Sequence, residues 1–183
     1  MNIDDQKKEI RKAIRALKRD VSLEDKKKRS QKILDDLEKN ESFKDANTVM
    51  LYWSMEDEVH THDFVLKWAS KKRIILPCVK GDLLELRVFK GLENLIEGDG
   101  FGILEPSGKL FTDVNSIDLI VVPGVAFDKQ NNRMGRGRAY YDKLLITTSC
   151  TKIGICFDFQ LLDEVPVNEY DVMMDTIISE NEQ

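Results

Sequence analysis

The sequence predicts an α/β sandwich, a mostly parallel central sheet flanked by helices, formed by one domain over residues 1–183. Three observations lead there. Short apolar runs suited to strands alternate with segments of helical periodicity, so successive strands need helical crossovers. One of those runs, Leu119–Val122 (LIVV), is unbroken, as in strands covered on both faces. At 183 residues, with 42% hydrophobic and 33% charged residues, the chain suits one sizeable core and has no repeat, linker or low-complexity tract.

Each element has its own signal. Residues 5–19 place Ile10, Ile14 and Leu17 on one side at helical spacing, with lysines and arginines elsewhere. Ser22 followed by Asp25 resembles a capping box and opens a second helix to about Asn40. Ile33, Leu34 and Leu37 form its buried face, and the run Lys26 to Arg29 a solvated one. Thr48–Trp53 reads as the first strand, and Thr61 caps a helix through Ser70. Arg73–Leu76 is the next strand, stopped by Pro77, and Leu84–Phe89 follows. Gly98–Gly108 reads as a glycine-punctuated loop, and Pro123-Gly124 ends the LIVV strand. Further strands lie at Lys152–Phe157 and near Thr176–Ser179. In such Rossmann-like sheets ligands bind outside the carboxyl ends of the strands, so the loops after Trp53, Val122 and Phe157 are expected to converge.

A formal net charge of −5 argues against a primary role on nucleic acid or anionic membranes. Cys78, Cys150 and Cys156 are an odd set without CxxC spacing, which suggests a reducing compartment rather than a disulfide frame or a zinc site. Cys156, within IGICF, reads as a buried inert thiol. The start MNIDDQKKEIRKAIR has no secretory pattern, and no segment is long enough to span a bilayer, so a cytoplasmic protein, acting as a monomer, is expected.

The chemistry concentrates in IDLIVVPGVAFDKQNNRMGRGRAYYDKLL, residues 117–145, which reads as strand, glycine–arginine loop and helix. That order builds a phosphate site. Gly135 and Gly137 let the backbone turn tightly and approach a ligand, and Arg133, Arg136 and Arg138 present planar forks that match phosphate oxygens. The helix from near Ala139 aims its free N–H groups at the same place, and Asp142, one turn in, suits a cation bridging phosphates. Neither a Walker loop nor a GxGxxG fingerprint is present. A solvated basic loop remains an alternative; an RG-type nucleic-acid loop is less favoured, since no wider basic surface accompanies it.

Other constellations are weaker. YWSMEDEVHTHDF, residues 52–64, follows a strand with an aromatic, a methionine and three close carboxylates, which suits either a flat slot for a fused ring or an acidic helix-capping loop in which Glu56 to Glu58 stabilise the next helix. His60 and His62 beside Asp63 suggest a metal, but that spacing faces apart on a helix and no third ligand is in view. Glu169, Asp171 and Asp175 near the C-terminus are loop acids or a second carboxylate for magnesium beside Asp142. Lys7 and Arg11, one turn apart, either close over an anion or face solvent.

These pieces, in this order, resemble the 5-formyltetrahydrofolate cyclo-ligase (methenyltetrahydrofolate synthetase) family. PGVAFDKQNNRMGRGRAYYDK, residues 123–143, is similar to that family's PGxxFDxxGxRxGxGxGYYD signature. KKEIR, SMEDEV, ILP (Ile75–Pro77), FGILEP (Phe101–Pro106) and VPVNEYD support it along nearly the whole chain. Two positions depart from the pattern. Ala139 stands at the third glycine, and Asn131, two residues before Arg133, where the pattern often has a glycine. The methyl group at 139 would crowd a phosphate only if the position needs a glycine-only conformation; alanine is tolerated at a helix start, and activity is expected to survive.

The resemblance implies ATP- and magnesium-dependent closure of 5-formyltetrahydrofolate to 5,10-methenyltetrahydrofolate through a phosphorylated formyl group, with reduced folate and ATP as the small-molecule partners. Carried over by position, it implies ATP contacts at Lys7, Arg11, Arg133, Met134, Gly135, Arg136, Gly137, Arg138, Ala139, Tyr140 and Tyr141. Trp53, Glu58 and Tyr140 would contact the folate, Arg136 and Tyr140 would serve catalysis, and Asp142 and Asp171 would hold Mg2+. Three competing readings are a kinase-like or CoA-using enzyme on a similar sheet, a binding protein that has lost turnover at Ala139, and the RNA-binding loop.

Overall fold

The computed structural model describes residues 2–98 and 104–181. Two long helices open the chain. In α1 (Ile3–Arg19) the Asn2 side chain accepts from the Asp5 N–H. In α2 (Leu23–Lys39) the Ser22 hydroxyl accepts from the Asp25 N–H, the cap read from the sequence, but the Asp25 carboxylate accepts from that hydroxyl and not from the Ser22 N–H as a capping box requires. A short α3 (Glu41–Asp45) enters β1 (Thr48–Met50). Helix α4 (His62–Ala69) crosses to β2 (Arg73–Lys80), which turns at Gly81 into β3 (Leu83–Phe89). The ribbon of β4 (Leu95–Glu97) and β5 (Leu104–Pro106) and the edge strand β6 (Leu110–Phe111) come next. The second half holds β7 (Leu119–Val122), β8 (Ala126–Asp128), β9 (Arg133–Met134), α5 (Tyr140–Leu145), β10 (Thr151–Ile155), β11 (Leu161–Leu162) and β12 (Thr176–Ile178).

The central sheet has seven strands in the order β12-β10-β7-β1-β2-β3-β6. From β12 to β2 all pairs are parallel; β3 and β6 add an antiparallel edge. Burial on both faces explains the unbroken apolar strands. Leu119 and Val121 pack with Ile33, Leu37 and Phe64 on the α2/α4 side, and Ile120 and Val122 with Phe127 and Leu145 on the other. Gly154 of β10 lets Phe127 lie against the sheet, because a Cβ there would fall 2.5 Å from its ring.

The strand order also locates the site. From β1 the chain builds outward through β2, β3 and β6, then returns to lay β7 on the other side of β1. Direction therefore reverses between β1 and β7, and at that reversal the loops leaving their carboxyl ends splay apart and leave a crevice.

Several expectations need correction. Pro77 does not stop β2. The Ile75 carbonyl accepts from Leu51 on the β1 side, so the nitrogen of residue 77 also faces that side, beyond the end of β1, where no ladder bond is lost. Thr61 stands at the start of α4, but its hydroxyl bonds the β1 loop instead of capping. Leu17 is 45% exposed, whereas Lys7 and Lys18 are buried on α1 beside Ile14. Lys26 is also buried, and Arg29 pairs with Glu180, so the Lys26–Arg29 run is only partly solvated. Within the Gly98–Gly108 segment, Leu104–Pro106 is a strand; Phe101, Gly102 and Ile103 of the FGILEP match lie outside the described residues.

Candidate active site

A cavity of about 370 Å³ opens at the β1/β7 crevice. Tyr52, Trp53, Met55 and Glu58 from the β1 loop form one wall, and Pro77, Cys78, Val79 and Leu84 from the β2/β3 hairpin another. The glycine–arginine loop closes the third side with Arg133, Gly135, Arg136 and Arg138 through Asp142. The loop after Phe157 does not line the cavity. It supports it from behind: the Gln160 side-chain amide donates to the Gly124 and Val125 carbonyls.

On the β1 side, Trp53 stacks on His62 with ring centroids 4.0 Å apart and planes 9° from parallel. His62 Nε2 lies 2.9 Å from the Ser54 carbonyl, and burial holds the imidazole below its ordinary pKa, so a neutral ring backs the indole. His60 lies before α4 rather than on it, and its ring comes within 4.4 Å of His62, not apart from it. Among the described residues no group of three metal-binding side chains includes them. Glu58 does not cap the following helix. One of its oxygens accepts from the Met55 N–H, closing the loop on itself, and the other meets Arg136.

The glycine–arginine loop hangs from a buried carboxylate. Asp128 is fully buried and accepts from the N–H groups of Gln130, Asn132 and Val165 and from the Asn132 side chain. This fixes the turn from β8 into β9 and carries Asn131 to φ +66°. Arg133, 3% exposed, then turns inward: Nη2 donates to Asp142 at 2.8 Å, Nη1 donates to the Pro123 carbonyl, and the guanidinium lies 5.7 Å from the Tyr141 ring centre. Its Nε is buried without a partner among the described residues.

At Ala139 the chain enters α5 with φ +54° and ψ +21°, a left-handed conformation that alanine was not expected to need. Both departures from the family's glycine pattern, Asn131 and Ala139, are, among the described residues, the positions where a non-glycine residue takes positive φ. The helix that follows has six residues, so the site's positive potential rests on the arginines more than on a helix dipole.

Helix α1 presents Lys7, Arg11, Ile14 and Lys18 to the loops around the site. Lys7 pairs with Asp171 at 2.5 Å. Arg11 donates to the Gly135 carbonyl, and its guanidinium lies over Gly137, whose φ is +102°. Lys18 reaches Asp57 at 3.4 Å, and Arg136 Nη2 reaches across the mouth to Asp57 at 2.6 Å and Glu58 at 3.2 Å. Burial pushes the Asp57 carboxyl up, but the Arg136 bond and the Lys18 charge outweigh it and hold it below its ordinary value.

Asp142 and Asp171 approach the same edge, since Asp142 Oδ1 accepts from the Val172 N–H. Each already faces a cation, Arg133 or Lys7. Magnesium commonly takes one or two protein carboxylates and fills its shell with phosphate oxygens and water, so the pair suits an ion arriving with a nucleotide. Asp175 instead accepts from the Lys152 N–H at the end of the sheet, and Glu169 is exposed.

Among the sequence-derived candidates, the cavity brings together Trp53, Glu58, Arg133, Gly135, Arg136, Arg138, Ala139, Tyr140, Tyr141 and Asp142. Tyr140 lines it and also donates to the Gly81 carbonyl, tying the loop to the β2/β3 turn. Lys7, Arg11 and Asp171 stand behind the loop, and Gly137, within it, is not part of the lining. The Met134 side chain, 1% exposed, packs with Ile14 and Val165, so only its backbone is left to meet a ligand. Sequence reasoning passed over Asp128, Gln160 and Lys18, and took Asp57 only as one of three close carboxylates. For Lys18 a signal existed: positions 7, 11, 14 and 18 share one helix face. Cys78 lines the cavity with its thiol near Glu105, and burial raises it to about 11, so it stays protonated.

Comparison with known proteins agrees with this geometry. The model of the 5-formyltetrahydrofolate cyclo-ligase family matches residues 3–180. The chain is 29% identical over 143 residues to the 5-formyltetrahydrofolate cyclo-ligase of Haemophilus influenzae, covering 73% of this chain and 75% of that one. The NMR structure of Aquifex aeolicus 5,10-methenyltetrahydrofolate synthetase superposes with a TM-score of 0.86 at 32% identity, covering 96% of this chain and 90% of that chain. The Mycoplasma pneumoniae 5,10-methenyltetrahydrofolate synthetase gives 0.78 at 27% identity, covering 96% and 99%.

Proposed function

The chain belongs to the 5-formyltetrahydrofolate cyclo-ligase family and is a ligase, and from that premise we propose that this one domain couples ATP cleavage to closure of 5-formyltetrahydrofolate into 5,10-methenyltetrahydrofolate. The observation that carries the reading is the single cavity in which Trp53 and Glu58 face an arginine loop across the β1/β7 crevice. A flat apolar wall with one carboxylate suits a pterin, whose N–H edge donates to Glu58; the opposite wall suits phosphates.

A formamide oxygen is a poor leaving group, and phosphorylation remedies that. The formyl oxygen attacks the terminal phosphorus of ATP, the bond to ADP breaks, and an iminium phosphate forms. The neighbouring N10 nitrogen then bonds to the formyl carbon and loses its proton, the C–O bond breaks, and phosphate leaves with the oxygen that had been the formyl oxygen. Such transfers ask a protein for positioning and charge neutralisation. Arg136 and Arg138, which line the cavity, would meet the transferred phosphoryl group, Arg133 would supply a fixed charge behind it, and Tyr140 holds the loop to the hairpin. Asp142 and Asp171 would hold magnesium, which would supply positive charge to offset that of the phosphates.

Substrate labelled with ¹⁸O in the formyl group tests this chemistry. The label is expected in the inorganic phosphate released with each methenyl product; label in bulk water instead would overturn the phosphorylated intermediate.

A further inference from the structure

We infer that Asp57 is a positioning residue for the phosphoryl-transfer arginine, acting only through Arg136; the inference rests on the cyclo-ligase reading above. Arg136 lies between Gly135 and Gly137, in the most permissive stretch of backbone at the site, on a long side chain that is 46% exposed. Left alone, such a side chain samples many rotamers, and ordering it at the moment of transfer costs entropy. Asp57 removes that freedom beforehand. Its Oδ1 takes Nη2 of Arg136 at 2.6 Å, against 3.2 Å for Glu58, so the shorter bond is to the carboxylate absent from the cavity lining. Nη1 and Nε have no protein partner among the described residues, which leaves two donors for phosphate oxygens.

The surroundings support this division of labour. Glu58 lines the cavity, and a pterin bound there competes with Arg136 for its Oε1. Once folate takes Glu58, Asp57 is the remaining anchor. Lys18 backs Asp57 from α1 at 3.4 Å and compensates its charge from the buried side. The chain Lys18–Asp57–Arg136 thus ties the first helix, the β1 loop and the glycine–arginine loop together at the mouth of the site.

A double-mutant cycle on turnover tests the inference, with each variant first shown to keep the wild-type circular dichroism spectrum. Asp57→Asn is expected to lower kcat on the order of tenfold while the KM for 5-formyltetrahydrofolate stays within about twofold. In an Arg136→Ala background the same change is expected to cost less than about twofold. Asp57→Glu, which keeps the charge, should recover most of the loss and serves as the readout should Asp57→Asn fold poorly. An equal loss in both backgrounds, no loss in either, or no recovery by Asp57→Glu would overturn the role. If the wild-type protein forms no methenyl product with MgATP, the cyclo-ligase reading itself falls and takes this inference with it; an active wild type with additive losses removes the inference alone.

Discussion

Replacing Ala139 with glycine should make the protein more stable. The residue sits at φ +54° and ψ +21°, where the Cβ of an L-residue crowds its own backbone by about 1–2 kcal/mol. No cap hydrogen bond depends on its side chain, and the residue is exposed, so the methyl group returns little through packing. Against the relief stands the extra freedom glycine gives the unfolded chain, about 0.4–1 kcal/mol. The net gain is about 0.5–1 kcal/mol, which for a chain of this length raises Tm by roughly 1–4 °C. Urea titration followed by circular dichroism reads the same quantity as a higher midpoint at unchanged slope. Because position 139 lines the cavity, the KM for MgATP should fall or stay level, never rise. A Tm lower by a similar amount, the behaviour of glycine at a right-handed helical position, would refute the reasoning and with it the left-handed entry into α5.

Three further outcomes follow from the site. Asp128→Ala strips a buried acceptor from the donors of Gln130, Asn132 and Val165, and a loss of about 3–5 kcal/mol in urea unfolding is expected, with activity lost as the loop loosens. Trp53→Ala should raise the KM for 5-formyltetrahydrofolate about tenfold, near 1.4 kcal/mol, and leave that for MgATP within about twofold; equal effects on both would place the indole elsewhere in the mechanism. Burial, first of all, lowers the pKa of both His60 and His62 from the ordinary imidazole value of about 6.5. As pH falls below 6.5 the unfolded chain therefore binds protons before the folded one, and stability is lost going down from there. His62→Gln should flatten that part of the stability profile, and an unchanged slope would contradict the neutral stack.

Where a local rule and the tertiary demand coincide, the sequence was readable. The LIVV strand, the Ser22–Asp25 cap and the Ile33/Leu37 face of α2 each carry one dominant signal, and each is found. The strand, glycine–arginine loop and helix of residues 117–145 were legible for the same reason, and the loop is found at the cavity. Misreadings cluster where a distant partner decides. Lys18 looks like part of a solvated face until Asp57 is brought against it, and the sequence alone left Lys7 and Arg11 open between an anion and solvent. Pro77 looks like a stop signal because strand length alone cannot reveal that β1 ends first on its nitrogen's side. Asp128 was hidden because a carboxylate in a polar loop looks the same whether it meets water or buried N–H groups. Arg133, grouped with its two neighbours by sequence, is separated from them by burial and by Asp142.

That last pairing governs how the central claim should be tested. Asp142→Ala would strand a buried guanidinium, at about 3–5 kcal/mol, and confuse lost folding with lost chemistry. The most direct measurement uses the unaltered protein: near-ultraviolet absorbance of the methenyl product in mixtures of protein and 5-formyltetrahydrofolate, with MgATP complete, with ATP withheld, and with magnesium removed by a chelator. Product that accumulates only in the complete mixture, in step with the ADP released, is the predicted result. Product without ATP, or none in the complete mixture from a folded protein that binds both ligands, would contradict an ATP-driven cyclo-ligase.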